Sequence, residues 1–217
     1  MTAAARSKTT SKRESARLNL ILAAERLMVE QGMDAVSLRQ IGTAAGQKNA
    51  AALQYHFGSR RDLVWAVMEL RTAPVNANRQ AMLAYIRSGT RPTIDDIARA
   101  LVLPLMSSLV ENRDDKTFYA RFMARVLSDP ETIQEVTKHP SYQSIRDCAR
   151  LYRDIHPQIS RDEVNLRMRM ASSAMIMEAA ELERLLCETE EVPDQSALDE
   201  QISMITRAIA GMLSAPI

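Results

Sequence analysis

Residues 35–63 read AVSLRQIGTAAGQKNAAALQYHFGSRRDL and carry the clearest local signals in the chain. Ser37 and Gln40 stand three positions apart, the spacing of a capping box in which each side chain bonds the other residue's backbone amide. A helix is therefore predicted to begin after Ser37. It should be short, because Gly46 follows within three turns and glycine favours the left-handed conformation that ends helices.

A second short helix is predicted over 49–57, where Gly58 ends it, and a longer helix over 60–71. Upstream, apolar residues recur with helical spacing from residue 14 until Gly32. Two short helices joined by a glycine-containing turn are typical of a helix-turn-helix. Since a short pair buries little surface alone, the two flanking helices should form its platform.

The rest of the chain also favours helices. Of 217 residues only 6 are Gly and 4% are aromatic, whereas strands favour aromatic and β-branched residues. The composition, 46% hydrophobic and 25% charged, is that of a globular protein. An all-α fold is predicted. Beyond Pro74 its helices are expected at 76–88, 94–112, 115–128, 131–138, 141–156, 161–190 and 195–214.

Charge divides the chain into parts. Residues 1–13 carry basic side chains and no acidic one, which predicts a disordered basic arm. Residues 1–72 hold 11 Lys and Arg against 6 Asp and Glu, or +5, whereas 73–217 hold 17 against 21, or −4. This distribution predicts a basic helix-turn-helix domain at 14–72 and a larger acidic domain at 73–217. The basic domain, called the head below, is expected to bind a polyanion.

Several classes of protein are disfavoured. The N-terminal segment has no apolar core of a signal peptide, and no apolar run approaches the roughly 20 residues of a membrane span, so a cytoplasmic protein is predicted. Cys148 and Cys187 are interpreted as reduced thiols. His56, His139 and His156 share no metal-ligand spacing. Without a phosphate loop or nucleophile motif, neither catalysis nor a metal or cofactor is predicted.

Residues 14–70 resemble the TetR family of bacterial regulators. The resemblance is carried by Ser37 at a helix start, Ile41 with Ala45-Gly46, and Tyr55-His56-Phe57-x-Ser59-Arg60 leading to Leu63. The interval from Gly46 to Phe57 is one residue longer than the family's usual spacing. The resemblance implies an N-terminal three-helix head that binds DNA and a C-terminal helical bundle for dimerisation and ligand binding.

A helix that recognises bases in the major groove needs small or polar side chains at the base edges. The second short helix has such side chains. The candidates for base contact are Gln47, Lys48, Asn49, Ala50, Ala51 and Gln54. Asn49 can alternatively serve only as the helix N-cap. By resemblance, the phosphate-contacting set is Ser37, Arg39, Tyr55, His56 and Arg60.

The helices at 161–190 and 195–214 are each apolar on two sides, which predicts two partners for each: the core of their own subunit and a second subunit. The second stripes are Leu166, Met170, Ala174 and Met177, and Met204, Ala208 and Gly211. Paired across a two-fold axis, these helices would form a four-helix bundle in a homodimer. The alternative is a tightly folded monomer.

Adaptable apolar side chains in the larger domain are candidates for lining an effector pocket, although ordinary core packing is the favoured explanation for each of them. They are Met106, Phe118, Phe122, Met123, Met168 and Met175. Glu178 falls within an apolar stripe and should find a partner in Arg121, Arg125 or a ligand, because an unpaired buried charge is costly. Pro104 should kink its helix.

The predicted function is a sequence-specific transcriptional regulator of double-stranded DNA. By resemblance it is a repressor, released from a palindromic operator by a small-molecule effector. Two alternatives stay open at this point. One is a constitutive DNA-binding regulator without an effector, and the other is a helical adaptor whose basic head binds an acidic protein.

Overall fold

A computed structural model describes residues 3–47, 51–89, 91–113, 117–189 and 193–215. Two compact units make up the chain, Met1–Arg71 and Thr72–Ile217. The predicted all-α class is confirmed, and the described part contains no strand. The helices are α1 Ala3–Gln31, α2 Leu38–Ala44, α3 Ala51–Phe57, α4 Arg60–Ser88, α5 Ile94–Glu111, α6 Tyr119–Val126, α7 Pro130–Val136, α8 Gln143–Ile155, α9 Arg161–Glu188 and α10 Gln195–Leu213.

The predicted capping box at the start of α2 is confirmed. The Gln40 amide donates to Ser37 Oγ over 3.2 Å, and the Ser37 amide donates to Gln40 Oε1 over 2.8 Å. The turn after α2 ends on Gly46 at φ +70°, a backbone conformation that a residue with a Cβ adopts only with strain. Local chemistry therefore sets both ends of this short helix.

The first helix differs from the prediction at its start. It begins at Ala3 rather than at residue 14, so residues 3–13, predicted to be a disordered arm, are helical. The physical reason is propensity, since alanines, lysines and arginines are good helix formers and no Gly or Pro occurs before Gly32.

The fourth helix also differs, because it continues through Pro74 to Ser88 where a break was predicted. A proline inside a helix removes one backbone hydrogen bond. Val75, Arg79 and Leu83, at successive turns beyond it, are buried on one face of α4. Burial of this face offsets the missing bond.

The second unit is built around three long helices. α10 packs against α5 and α9, and α6 packs against α9. The shorter helices between α6 and α9 have defined starts. Asp129 caps α7 by accepting from the Thr132 amide, and a 3₁₀ turn at Pro140–Tyr142 precedes α8. The core includes fully buried side chains from α5, α6 and α8, among them Leu101, Phe122 and Tyr152.

Candidate functional site

The short helices α2 and α3 pack together, and α3 has a buried side and an exposed side. Leu53 and Phe57, one turn apart, are buried, whereas Gln54 is exposed and Tyr55 has 67% of its surface accessible. The exposed side thus presents one amide and one phenol. Such groups can donate to base edges and phosphate oxygens.

Two arginines of α1 lie over aromatic rings of α3. The Arg13 guanidinium stands 5.0 Å from the centre of the Tyr55 ring, and that of Arg17 stands 5.1 Å from the centre of the Phe57 ring. Burial, with a contribution from both arginines, lowers the pKa of His56, so the imidazole favours its neutral form. The basic composition of the N-terminal segment signalled Arg13, but nothing in the sequence singled out Arg17.

A buried ion pair joins α1 to the first half of α4. Arg71 donates to both carboxylate oxygens of Glu25 over 3.1 and 2.9 Å, and Glu25 is buried. Burial raises the pKa of Glu25, while the hydrogen bonds and charge of Arg71 act against this rise. The bidentate geometry fixes the relative position of the two helices that support α2 and α3.

Arg60 has a different position from the one expected of a phosphate contact. Its guanidinium is half-buried and donates to the carbonyl oxygens of Met33 and Val36. These carbonyls belong to the loop between α1 and α2. Arg60 therefore ties the start of α4 to this loop, and its donors are directed into the protein.

The other predicted DNA contacts fall into three groups. Ser37 and Arg39 are exposed at the start of α2. Gln47 and His56 are half-buried, and the Gln47 side chain lies 3.5 Å from the Ala45 carbonyl. Outside the described residues lie Lys48, Asn49 and Ala50, together with the side chain of Ala51.

The candidate effector residues differ in burial and in surroundings. Met106, Phe122, Met123 and Met175 are buried in the core of the second unit. Phe118 is half-buried, and the Arg121 guanidinium stands 4.9 Å from its ring centre. Met168 is buried and lines a cavity of about 430 Å³ that the other six candidates do not line.

The prediction that Glu178 is buried is wrong, because it is exposed. The buried carboxylate of α9 is Glu183, which accepts from the Ala120 and Arg121 amides over 2.9 and 3.1 Å and from Arg121 Nε over 3.0 Å. Burial raises the pKa of Glu183, and these hydrogen bonds act against it. Glu178 directly follows the exposed Met177, whereas Glu183 directly follows the buried Leu182. The buried apolar face of α9 is therefore narrower than the sequence pattern indicates, and Glu178 lies outside it.

The second apolar stripes of α9 and α10 are largely on the surface. Leu166, Met170 and Met177 are 44, 50 and 60% exposed, and Met204 is 50% exposed. These side chains contribute little to the core of their own subunit. An exposed apolar face on two long helices is typical of an interaction surface.

The described part of the chain contains neither a metal cluster nor a membrane span. Three or more His, Cys, Asp or Glu side chains are nowhere grouped there to hold a metal ion. Among the helices in the same residues, none has the length and apolarity to cross a bilayer.

Two family profiles match the sequence: "Bacterial regulatory proteins, tetR family" over residues 20–67, and "Tetracyclin repressor-like, C-terminal domain" over residues 99–212. A comparison with curated proteins gives no significant match. A solved gamma-butyrolactone receptor, ArpA-like, is similar at a TM-score of 0.51 and 15% identity, over 91% of this chain and 98% of its own.

Two further solved structures are similar at a TM-score of 0.47. A TetR-family transcriptional regulator from Pectobacterium atrosepticum is 19% identical over 95% of this chain and 98% of its own. A TetR-family regulator from Streptomyces coelicolor is 16% identical over 93% and 96%. The two profiles lie on the helix-turn-helix unit and on the helical unit that follows it. Together with the geometry of α2 and α3, they show that this chain belongs to the TetR family of bacterial regulatory proteins.

Proposed function

We propose that the chain is a transcriptional repressor that acts in the cytoplasm. It binds a palindromic operator as a homodimer and leaves the operator when a small molecule binds the second unit. The observation that carries the proposal is the exposed side of α3, where Gln54 and Tyr55 are accessible and the Arg13 guanidinium lies over the Tyr55 ring. A polar and cationic surface of this kind fits a DNA groove.

In this proposal the exposed residues divide into two roles. Gln54, with the candidates at 47–51, reads base edges, and each good contact contributes about 1–3 kcal/mol of discrimination. Ser37, Arg39, Tyr55 and His56 contact phosphates, which position the head without reading sequence. Arg13 and Arg17 join the phosphate set, and Arg60 leaves it because its donors hold the loop before α2.

The homodimer is proposed to form through α9 and α10. One head covers half of a palindrome, so two heads must be held at a fixed separation. The exposed methionines of both helices provide an apolar surface that a second copy would remove from water.

Replacement of Met177 by Glu tests this interface. Light scattering after size exclusion should show a monomer, because the carboxylate would have to be buried without a partner. Tyr85→Ser, which changes an 81% exposed side chain on α4, is the matched control and should stay dimeric. A dimeric Met177→Glu protein would contradict the proposed interface.

A small-molecule effector is proposed for the second unit. The similar gamma-butyrolactone receptor is, by its description, a receptor on the same fold. The cavity of about 430 Å³ beside α9 supports the same role for this chain. Effector and operator would then oppose each other by favouring different conformations.

Selection of bound duplexes from a random pool tests operator recognition. A two-fold symmetric motif is expected. Gln54→Ala should change the motif at specific positions, whereas Arg39→Ala should weaken all sequences about equally and reduce the salt dependence of binding by about one counterion. Recovery of no motif, or of one without two-fold symmetry, would contradict the proposal.

A further inference from the structure

A cavity of about 430 Å³ lies between α9 and the stretch of chain from the end of α6 to α8. Its volume is within the roughly 300–1,000 Å³ of small-molecule sites. Apolar side chains form much of its wall: Leu127, Ile133, Ile145, Ala149 and Met168. The cavity can therefore take an apolar body.

The cavity also has a polar edge on α9. Asn165, Arg169 and Ser173 are spaced four residues apart, so they lie on the same face of the helix, and all three are exposed. A second guanidinium, that of Arg146, lines the cavity while it donates to the carbonyls of Thr137 and His139. No Asp or Glu is among the described residues that line this space. The electrostatic balance of the cavity is positive.

Arg169 has no carboxylate partner in the part of the chain that the structure describes. Two other arginines of α9 do, since Arg167 pairs with Glu163 over 2.5 Å and Arg184 pairs with Glu181 over 2.6 Å. The residues three and four positions from Arg169 are Asn165, Leu166, Ser172 and Ser173, none of which is acidic. Its guanidinium is therefore available to an anion from outside the chain.

Ser172 supplies an independent observation. Its side chain lines the cavity and is 94% buried, yet its Oγ has no hydrogen-bond partner among the described atoms. Burial raises the pKa of Tyr142, and the neighbouring Ser172 side chain acts against that rise. A buried hydroxyl without a partner is unfavourable, and a polar group of a ligand would satisfy it.

We infer that this cavity binds a small amphipathic anion, a carboxylate on an apolar body. The apolar body packs against Met168 and Ile145, the carboxylate pairs with Arg169, and Ser172 donates a further hydrogen bond. This ligand is the effector of the proposed function, and the cavity gives its chemical class; to that extent the assignment rests on the proposed function.

Octanoate is the probe, and octanamide, which has the same shape without the charge, is its matched control. Calorimetry gives affinity, and the methyl NMR signal of Met168, assigned with Met168→Leu, reports whether the probe occupies this cavity. Octanoate should bind more tightly than octanamide and shift the Met168 signal. Arg169→Gln should weaken octanoate about tenfold and leave octanamide unchanged.

Two further variants separate binding from folding. Arg161→Gln removes an exposed arginine of the same helix that does not line the cavity, and it should leave octanoate binding unchanged. Ser172→Ala should weaken octanoate binding without lowering the Tm, because the hydroxyl makes no hydrogen bond in the free protein.

Four results would overturn the inference: no octanoate binding at millimolar concentration, equal affinity for octanamide, an unmoved Met168 signal, or equal effects of Arg169→Gln and Arg161→Gln. Operator binding is measured separately by gel shift on the same proteins. A chain that binds octanoate as described but binds no palindrome supports the cavity assignment and contradicts the proposed function. A chain that binds a palindrome but not octanoate supports the proposed function and contradicts the cavity assignment.

Discussion

Arg79 of α4 is a buried arginine whose partners in the described structure are all uncharged. It donates from Nε to the Ala100 carbonyl over 2.9 Å, and its terminal nitrogens donate to the Leu101 carbonyl and to Ser144 Oγ over 3.1 and 2.9 Å. In an α-helix the Ala100 carbonyl would accept from the amide four residues later, but that residue is Pro104, which has none. The side chain of α4 thus supplies the hydrogen bond that the proline of α5 removes.

This geometry predicts energetic coupling between Arg79 and Pro104. Arg79→Met leaves the Ala100 carbonyl buried and unpaired, at a cost of about 1–3 kcal/mol, and it loses the charge-assisted bonds to Leu101 and Ser144. The desolvation cost of the buried guanidinium is recovered, so the expected net loss of unfolding free energy is about 2–4 kcal/mol. Pro104→Ala in the same protein restores a backbone donor, and part of the loss should return.

Urea unfolding of the four proteins of this double-mutant cycle, at one fixed protomer concentration, measures the coupling. An interaction free energy of about 1–3 kcal/mol is expected. Arg99→Met, at an exposed position of α5, is the matched control and should change stability by less than about 0.5 kcal/mol. Additivity of Arg79→Met and Pro104→Ala within about 0.5 kcal/mol would show that Arg79 does not compensate for Pro104.

Further predictions concern buried polar groups of the second unit. Glu183→Ala should lower the unfolding free energy by about 3–5 kcal/mol, because it leaves two amides at the start of α6 and the Arg121 guanidinium without their acceptor. Glu178→Ala, at an exposed position on the same helix, should have little effect in the same urea titration, and equal losses would contradict the assignment. Burial raises the pKa of the Cys148 thiol to about 11, so at neutral pH a disulfide reagent should modify Cys148 only after unfolding, whereas the half-buried Cys187 should react in the native protein. Rapid modification of Cys148 in the native state, detected by mass spectrometry, would show that the Cys148 thiol is accessible and not buried.

Much of the architecture could be predicted because it depends on interactions between near neighbours in the chain. The capping box of Ser37 and Gln40 and the end of α2 at Gly46 involve contacts within a few residues. Helical periodicity likewise predicted the exposed stripe that includes Met170 and Met177. The resemblance of 14–70 to a known family extended these local signals to the head as a whole.

The candidate sites were less predictable, because side chains from distant segments build them. Arg60 has the residue type of a phosphate contact, yet its donors are taken by carbonyls 24 and 27 positions earlier in the chain. Met168 lines the cavity, but the other predicted pocket residues do not, since composition shows which side chains are adaptable and not where space is left between helices.

The helical class, the turn at Gly46 and the two apolar sides of α9 could all be inferred from the sequence, since each depends on spacing within one or two helical turns. The packing of the helices, in contrast, makes Glu183 rather than Glu178 the buried carboxylate and brings Arg79 to the carbonyl left open by Pro104. These pairings join residues that are 21 to 63 positions apart. Their partners are set by how the helices pack, which no local pattern records.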